Sequence, residues 1–225
     1  MNTQIDSTAL FEKIKDECPK KKVVSLCNKL IKKLSFGNSS DVENLCDLCY
    51  WLYVYERADL SLSCVNLTRG LIFDQNFNVW GEIHAMWGLG IRILRAQDKH
   101  QEAKAIAAQI DIHLLQPSRI NTPPGQPRRF HTPESQLKNE TARRKRFVIG
   151  KENDQGTGFI EVSYQSKIEN ALNDDDTNSA NSWRLGALSR LIGNTETGLY
   201  PFLNEHQERI EKTIAEYIAE LQKVK

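Results

Sequence analysis

Two cysteines separated by two residues, Cys46-Asp47-Leu48-Cys49, are the first side chains in this 225-residue chain whose spacing matches a known chemistry. A zinc site built on such a pair needs about four ligands, so a second C-x-x-C or paired histidines should follow. Only Cys64 and an isolated His84 are at hand. A redox C-x-x-C belongs at a helix N-terminus after a strand, whereas this pair sits inside LCDLCYWLYVY, apolar almost all round a helix. Both thiols are therefore expected to be buried small hydrophobes. His84, His100, His113, His131 and His206 are scattered, none four residues from another or from a cysteine. Gly150, Gly156 and Gly158 lack the remainder of a phosphate loop. Asp174, Asp175 and Asp176 have calcium-like chemistry without the glycine and terminal glutamate of a binding loop. No nucleophile elbow, H-E-x-x-H or dinucleotide fingerprint is present. No catalytic residue, cofactor or metal ligand is assigned, and the expectation is a protein that is not an enzyme. A set assembled only in space stays as the lesser alternative.

The elements that would position any site are organised around Phe73–Arg95, FDQNFNVWGEIHAMWGLGIRILR. After the polar Asp74-Gln75-Asn76, Asn78 stands where a helix N-cap belongs, its side-chain oxygen able to accept first-turn N–H groups. Val79, Ile83, Met86, Gly90, Ile93 and Leu94 share one arc. Trp80, Trp87 and Ile91 widen it to roughly 200°, beyond the stripe of an ordinary surface helix. Such a helix has neighbours on several sides. Its remaining face is small and basic, with Gly81, Ala85 and Gly88 beside His84, Arg92 and Arg95, and reads as an address for other helices.

Composition bounds the class. With 40% hydrophobic and 26% charged residues the chain is long enough for one core or two small ones. A formal net charge of +1 provides no global field for nucleic acid or an acidic substrate. The start, MNTQIDSTALFEKIKDE, has no basic and apolar leader pattern, and no window approaches an uncharged membrane span. Five cysteines, odd in number and on expected helices, suit reduced thiols in a cytoplasm.

In order, residues 8–17 and 20–35 read as helices broken at Pro19. The second buries Val23, Val24, Cys27, Leu30, Ile31 and Leu34 and exposes Lys20–Lys22, Lys29, Lys32 and Lys33. Those lysines would attract an acidic partner, although a solvated helix face is the simpler reading. Ser40-Asp41-Val42-Glu43 is a capping-box pattern for a helix to about Arg57, and Asp59 is a fresh cap for Leu60–Ile72. The central helix and a partner over Lys99–Leu115 follow. These four look like two copies of one hairpin, since a slide of 41 residues sets Leu45 on Met86, Leu48 on Leu89, Leu52 on Ile93, Leu62 on Ala103 and Val65 on Ile106, and the turn Arg57-Ala58-Asp59 on Asp98-Lys99-His100.

The paired hairpins resemble tetratricopeptide-like helical hairpins, with a longer repeat and a small-residue signature around Gly88 and Ala103. FDQNFNVW followed by a helix ending IRILR also resembles an uncharacterised family of helical bacterial proteins from toxin and immunity gene neighbourhoods. That resemblance covers roughly residues 40–116 and implies a role in neutralising a toxin.

After Gln116 the composition changes. Pro117, Pro123, Pro124, Pro127 and Pro133 exclude a helix, and nine basic residues stand against Glu134 and Glu140 between Pro117 and Lys151. Aromatic residues for base stacking are scarce there, which argues against nucleic acid. Arg146–Ile149 and Phe159–Tyr164 read as one small β-hairpin around GKENDQGTG. Helix returns over Ser166–Leu172, Ser182–Ile192 and Leu203–Val224, with Trp183, Leu185, Leu188 and Leu191 inward in the second and Ile210, Ile214, Tyr217, Ile218 and Leu221 as the stripe of the third.

The expected architecture is mainly α, a repeat-like array of antiparallel hairpins with a small β-hairpin insertion. It divides into 1–116, a basic insertion at 117–165 and C-terminal helices at 166–225. The expected function is a cytoplasmic protein that binds a protein partner, a cognate toxin, one to one. A helical-repeat adaptor and a nucleic-acid-processing enzyme are the alternatives. Candidate partner-binding residues are the basic run Arg143, Arg144 and Arg146 and the acidic turn Asp174, Asp175 and Asp176, both exposed by composition.

Overall fold

The computed structural model describes residues 7–114, 118–120, 129–131, 162–197 and 207–224, and they are mainly helical. The helices are α1 (Ser7–Glu17), α2 (Lys21–Lys32), α3 (Ser39–Val54), α4 (Ala58–Asn66), α5 (Phe77–Ala96), α6 (His100–Leu114), α7 (Val162–Asn173), α8 (Thr177–Glu196) and α9 (Gln207–Gln222). Ser118–Ile120 and Arg129–His131 pair as short antiparallel strands β1 and β2.

The α5 helix is central because its sequence leaves it no solvent face of any width. It packs against α3, α4, α6 and α8. Val79, Trp80, Ile83, Met86, Trp87, Leu89, Ile91, Ile93 and Leu94 are all buried. The buried Trp87 indole N–H finds an acceptor in the Thr68 hydroxyl at 2.8 Å, so the large ring enters the core without an orphaned donor. Buried side chains of α1–α6, α8 and α9 form one contiguous cluster.

The small basic face of α5 receives α8. A Cβ built on Gly88 would stand 2.8 Å from the Cα of Gly193, and one on Gly193 would stand 3.2 Å from the Cα of Ala85. The two helices thus meet backbone to backbone, at a distance that only missing side chains permit. The buried Tyr50 hydroxyl of α3 lies in this crossing, 2.9 Å from the Ala85 carbonyl and 3.2 Å from that of Ser189. One turn further on, Arg92 donates to Glu196 at 3.1 Å and to Glu211 of α9 at 2.9 Å, and its Nε donates to the Tyr53 hydroxyl at 3.0 Å. Arg95 donates to the other oxygen of Glu196 at 2.6 Å. Glu196 is 8% exposed and has two guanidinium groups around it, the arrangement a buried carboxylate requires.

Three hairpins turn in the same way. Glu56, Asp98 and Asp175 adopt left-handed φ values of 60°, 59° and 56°. In each, the next N–H returns to a carbonyl five residues back, Arg57 to Leu52, Lys99 to Leu94 and Asp176 to Ala171, at 2.8–2.9 Å. This is the left-handed close of a helix C-terminus. Glu56 and Asp98 stand 42 positions apart, which corrects the expected 41-residue slide by one. The shifted register aligns Ser61 with Ala103, Cys64 with Ile106 and Thr68 with Ile110, and all six are buried.

Several local expectations are corrected. The cap of α3 is Asn38, whose side chain accepts from the N–H groups of Ser40 and Asp41, rather than Ser40. Asn38 takes the role because it is the last residue in extended conformation. In the same way α4 begins at Ala58, ahead of Asp59. Asn76 occupies the cap position of α5 without a side-chain bond, and Asn78 lies inside the helix. The small β-hairpin insertion expected at 146–164 is not supported: Val162, Ser163 and Tyr164 open α7, and its other residues lie outside those described. Trp183 is 36% exposed instead of inward, covered on one face by Lys167 at 4.0 Å from the ring centre.

Gly81 and Gly88 provide a paired test. Nothing lies within 4 Å of a Cβ at Gly81. Gly81→Ala should therefore stabilise the fold by about 0.5–1 kcal/mol through helix propensity. Gly88→Ala should cost about 1–3 kcal/mol, because α8 must move. Urea unfolding of the two variants reads the difference, and equal effects would contradict the close crossing.

Candidate functional site

Titratable side chains converge at two helix junctions. At the first, α3 brings Glu43, Cys46 and Asp47 toward α5 and α2. The Cys46 thiol is buried, and desolvation raises its pKa well above 9.0, aided by the nearby Glu82 and Asp47. Glu82 lies 3.7 Å from Arg190 of α8, and the Tyr164 phenol of α7 is close enough to act on the same guanidinium. Asp47 is half-buried. Desolvation, followed by the neighbouring Glu43 and Glu82 carboxylates, pushes its pKa from 3.8 to about 7, with Lys29 and Lys22 pulling the other way. A carboxyl that titrates near neutrality is suited to take or give a proton. The four-helix setting equally well describes a charge network that holds α3, α5, α7 and α8 in register.

At the second junction His84 of α5 and His113 of α6 meet, Nε2 to Nδ1, at 3.1 Å. The contact requires one ring nitrogen to donate and the other to accept. Phe73 stacks on His113 with centroids 4.3 Å apart, and Trp80 meets its edge at 4.9 Å. Asp74 accepts from the Trp80 indole at 2.9 Å, and the Arg69 guanidinium lies 4.8 Å from the centre of the Trp87 ring. Burial lowers the pKa of both histidines, that of His84 to about 3, where His113 adds to the effect. Spacing along the chain hid this pair. The signal was available in the hairpin: His84 and His113 are equidistant from the Asp98-Lys99 turn, as are Cys49 and Cys64 from Glu56-Arg57. The Cys49 and Cys64 side chains are accordingly neighbours, and both are fully buried. All five cysteines are free. Among the described residues no group of His, Cys, Asp and Glu side chains is arranged to hold a metal ion.

Of the residues singled out from the sequence, Asp174, Asp175 and Asp176 lie exposed in the turn between α7 and α8. They differ in role. Asp176 caps α8, accepting from the Ser179 N–H at 3.0 Å and from its hydroxyl at 2.5 Å, and these bonds lower its pKa. Asp175 supplies the left-handed turn residue, and Asp174 faces solvent. Arg143, Arg144 and Arg146 lie outside the described residues.

A groove of about 690 Å³ opens between α7 and α9 over α8. Gln165, Glu169, Arg184, Lys212 and Glu216 contribute polar groups of both signs, and Ile168 and Tyr217 contribute apolar surface. Sequence reasoning missed it, because a groove belongs to the spacing of two helices far apart in the chain.

A family model, described as a family of unknown function (DUF6707), matches residues 3–126, which span α1–α6 and the first strand. The chain belongs to the DUF6707 family. No curated protein and no solved structure matches the chain. The DUF6707 match includes both histidines and the α3 carboxylates and stops short of α7, α8 and α9. No helix among the described residues is long and apolar enough to cross a membrane.

Two tests follow from this geometry. Between pH 3.8 and 6.5 the two perturbed groups act in opposite directions. His84 binds a proton more readily when unfolded, so its contribution is complete above 6.5 and is lost as pH falls toward about 3. Asp47 holds its proton better when folded, so its contribution is complete below 3.8 and is lost as pH rises through about 7. Asp47→Asn removes only the second. Its stability relative to the parent should climb as pH rises from 3.8 through about 7 and level off above that. A pH-independent difference in urea midpoint would contradict the buried carboxyl. Separately, Asp176→Ala should lower the melting temperature while Asp174→Ala leaves it unchanged, because only Asp176 caps a helix.

Proposed function

We propose that the protein acts by stoichiometric binding to another protein, as an immunity protein does when it neutralises a cognate toxin. The groove between α7 and α9 is the observation that supports this reading most. It offers apolar contact from Ile168 and Tyr217 inside a polar border of both signs, the composition of a surface that grips an extended segment or a helix of a partner. Charge on the border selects and orients the partner, and buried aromatic contact supplies affinity. The toxin assignment rests on the sequence resemblance noted for residues 40–116. A reducing cytoplasm as the place of action is supported by five unpaired, buried thiols.

The test is co-expression with a toxin encoded beside this gene, followed by co-purification and titration. Protection should reach completion at one molecule per toxin, whereas protection far below that ratio would mean turnover and sink the binding reading. Lys212 and Glu216 form an exposed pair at 4.0 Å along α9 within the groove. Exchanging them, Lys212→Glu with Glu216→Lys, keeps the pair and inverts the pattern. The melting temperature should hold while affinity for the toxin drops roughly tenfold or more.

A further inference from the structure

We propose that the lysine face of α2 is a docking surface for an acidic helix or strand of the protein partner. This rests on the binding reading above and names the chemistry of what is bound. α2, KKVVSLCNKLIK, contains no acidic residue. Val23, Leu26, Cys27 and Leu30 are buried and hold the helix rigidly against the core. Lys21, Lys22, Lys29 and Lys32 share the opposite face with Ser25 and Asn28, and Lys33 follows at the C-terminus. All are exposed except the half-buried Lys22. Twelve residues at about 1.5 Å each make a ridge about 18 Å long.

Lys13, Lys15, Lys212 and Lys223 each have a glutamate of their own helix, or its end, within 4.0 Å. None of the α2 lysines makes such a pair among the described residues. Lys99, Lys104 and Lys167 also lack an ion pair among the described residues, but no other described helix gathers several such lysines on one face. Exposed for the most part and without an ion pair among the described residues, the α2 lysines stand on a rigid platform that a partner meets without having to order it.

The neighbouring helices narrow what that something is. On one side α1 carries exposed Glu12, Asp16 and Glu17, and on the other α3 carries Glu43 and Asp47. Lys22 and Lys29 lie close enough to Asp47 to act on it electrostatically. A bilayer or a nucleic-acid duplex presents negative charge over a broad area and would meet these acidic shoulders as well as the ridge. An acidic strip one helix or strand wide meets the lysines alone. The α2 face also has no exposed aromatic residue for base stacking and no arginine for bidentate phosphate contact.

The experiment uses the full chain and three probes: a fluorescent helical peptide with glutamates at i and i+4, a short DNA duplex, and phosphatidylserine vesicles. The peptide should bind saturably, weaken with added salt, and bind roughly tenfold or more weakly to the triple variant Lys21→Glu, Lys29→Glu, Lys32→Glu. Reversing Lys212 and Lys223 instead should leave peptide binding unchanged. The triple Lys→Gln variant repeats the comparison without adding new repulsion, and circular dichroism checks that each protein is folded. Equal peptide affinity in parent and α2 variants overturns the proposal, as does tighter binding of duplex or vesicles through the same lysines. One-to-one protection against the toxin that survives the α2 variants would also overturn the ridge as the docking surface while leaving the binding reading intact.

Discussion

The near-contact of α5 and α8 is the constraint on which the remaining architecture depends. Gly88 and Gly193 allow the two backbones to approach with almost nothing between them, and Ala85 completes the seat. At that distance each peptide group is close to the other helix, so neither can rotate without a clash. Arg92 and Arg95 then clasp Glu196 just beyond the crossing, and Arg92 reaches Glu211 to add α9. The carboxylate of Glu196 is costly to bury and useless without both partners, so the clasp opposes any sliding of α8 along α5.

This crossing also determines which surfaces remain for function. Since α5 is surrounded by α3, α4, α6 and α8, the histidine pair is an interior feature, whereas Asp47 and Glu82 are half-buried and Glu43 is exposed. α7 and α9 both pack on α8, and residues of all three line the groove. At the other end, α2 lies between α1 and α3 and turns its lysines outward. The binding reading and the acidic-partner proposal therefore use two separate surfaces of one rigid frame. The family match extends over the α2 face and ends before the groove, so the two surfaces can be tested independently.

The helices were legible wherever an apolar arc recurred every three or four residues. α2 with Val23, Cys27 and Leu30, and α9 with Ile210, Ile214 and Leu221, could be read as single buried stripes. Even the small basic face of α5 announced a docking helix, because glycine and alanine on an otherwise bulky helix leave room that something must fill. The caps were less legible. Asn38 and Ser40 are equally good capping residues by type, and the choice between them depends on where the chain leaves extended conformation.

What the sequence by itself determined is the set of local preferences: period, breaks at Pro19, buried cysteines, and segments too polar to be core. What only the tertiary structure decided is which distant residues meet. Glu196 became the partner of Arg92 and Arg95 through the angle of a helix about a hundred positions away. Asp47 acquired a pKa of about 7 through burial beside Glu82, which no spacing along the chain encodes. Asp176, one of three adjacent aspartates identical in type, became a cap because α8 starts directly after it. The physical reason is common to all three cases. Periodicity and propensity are properties of a few neighbouring residues, whereas electrostatic environment and groove shape arise from contacts between segments, fixed only once side-chain volumes set how closely helices approach.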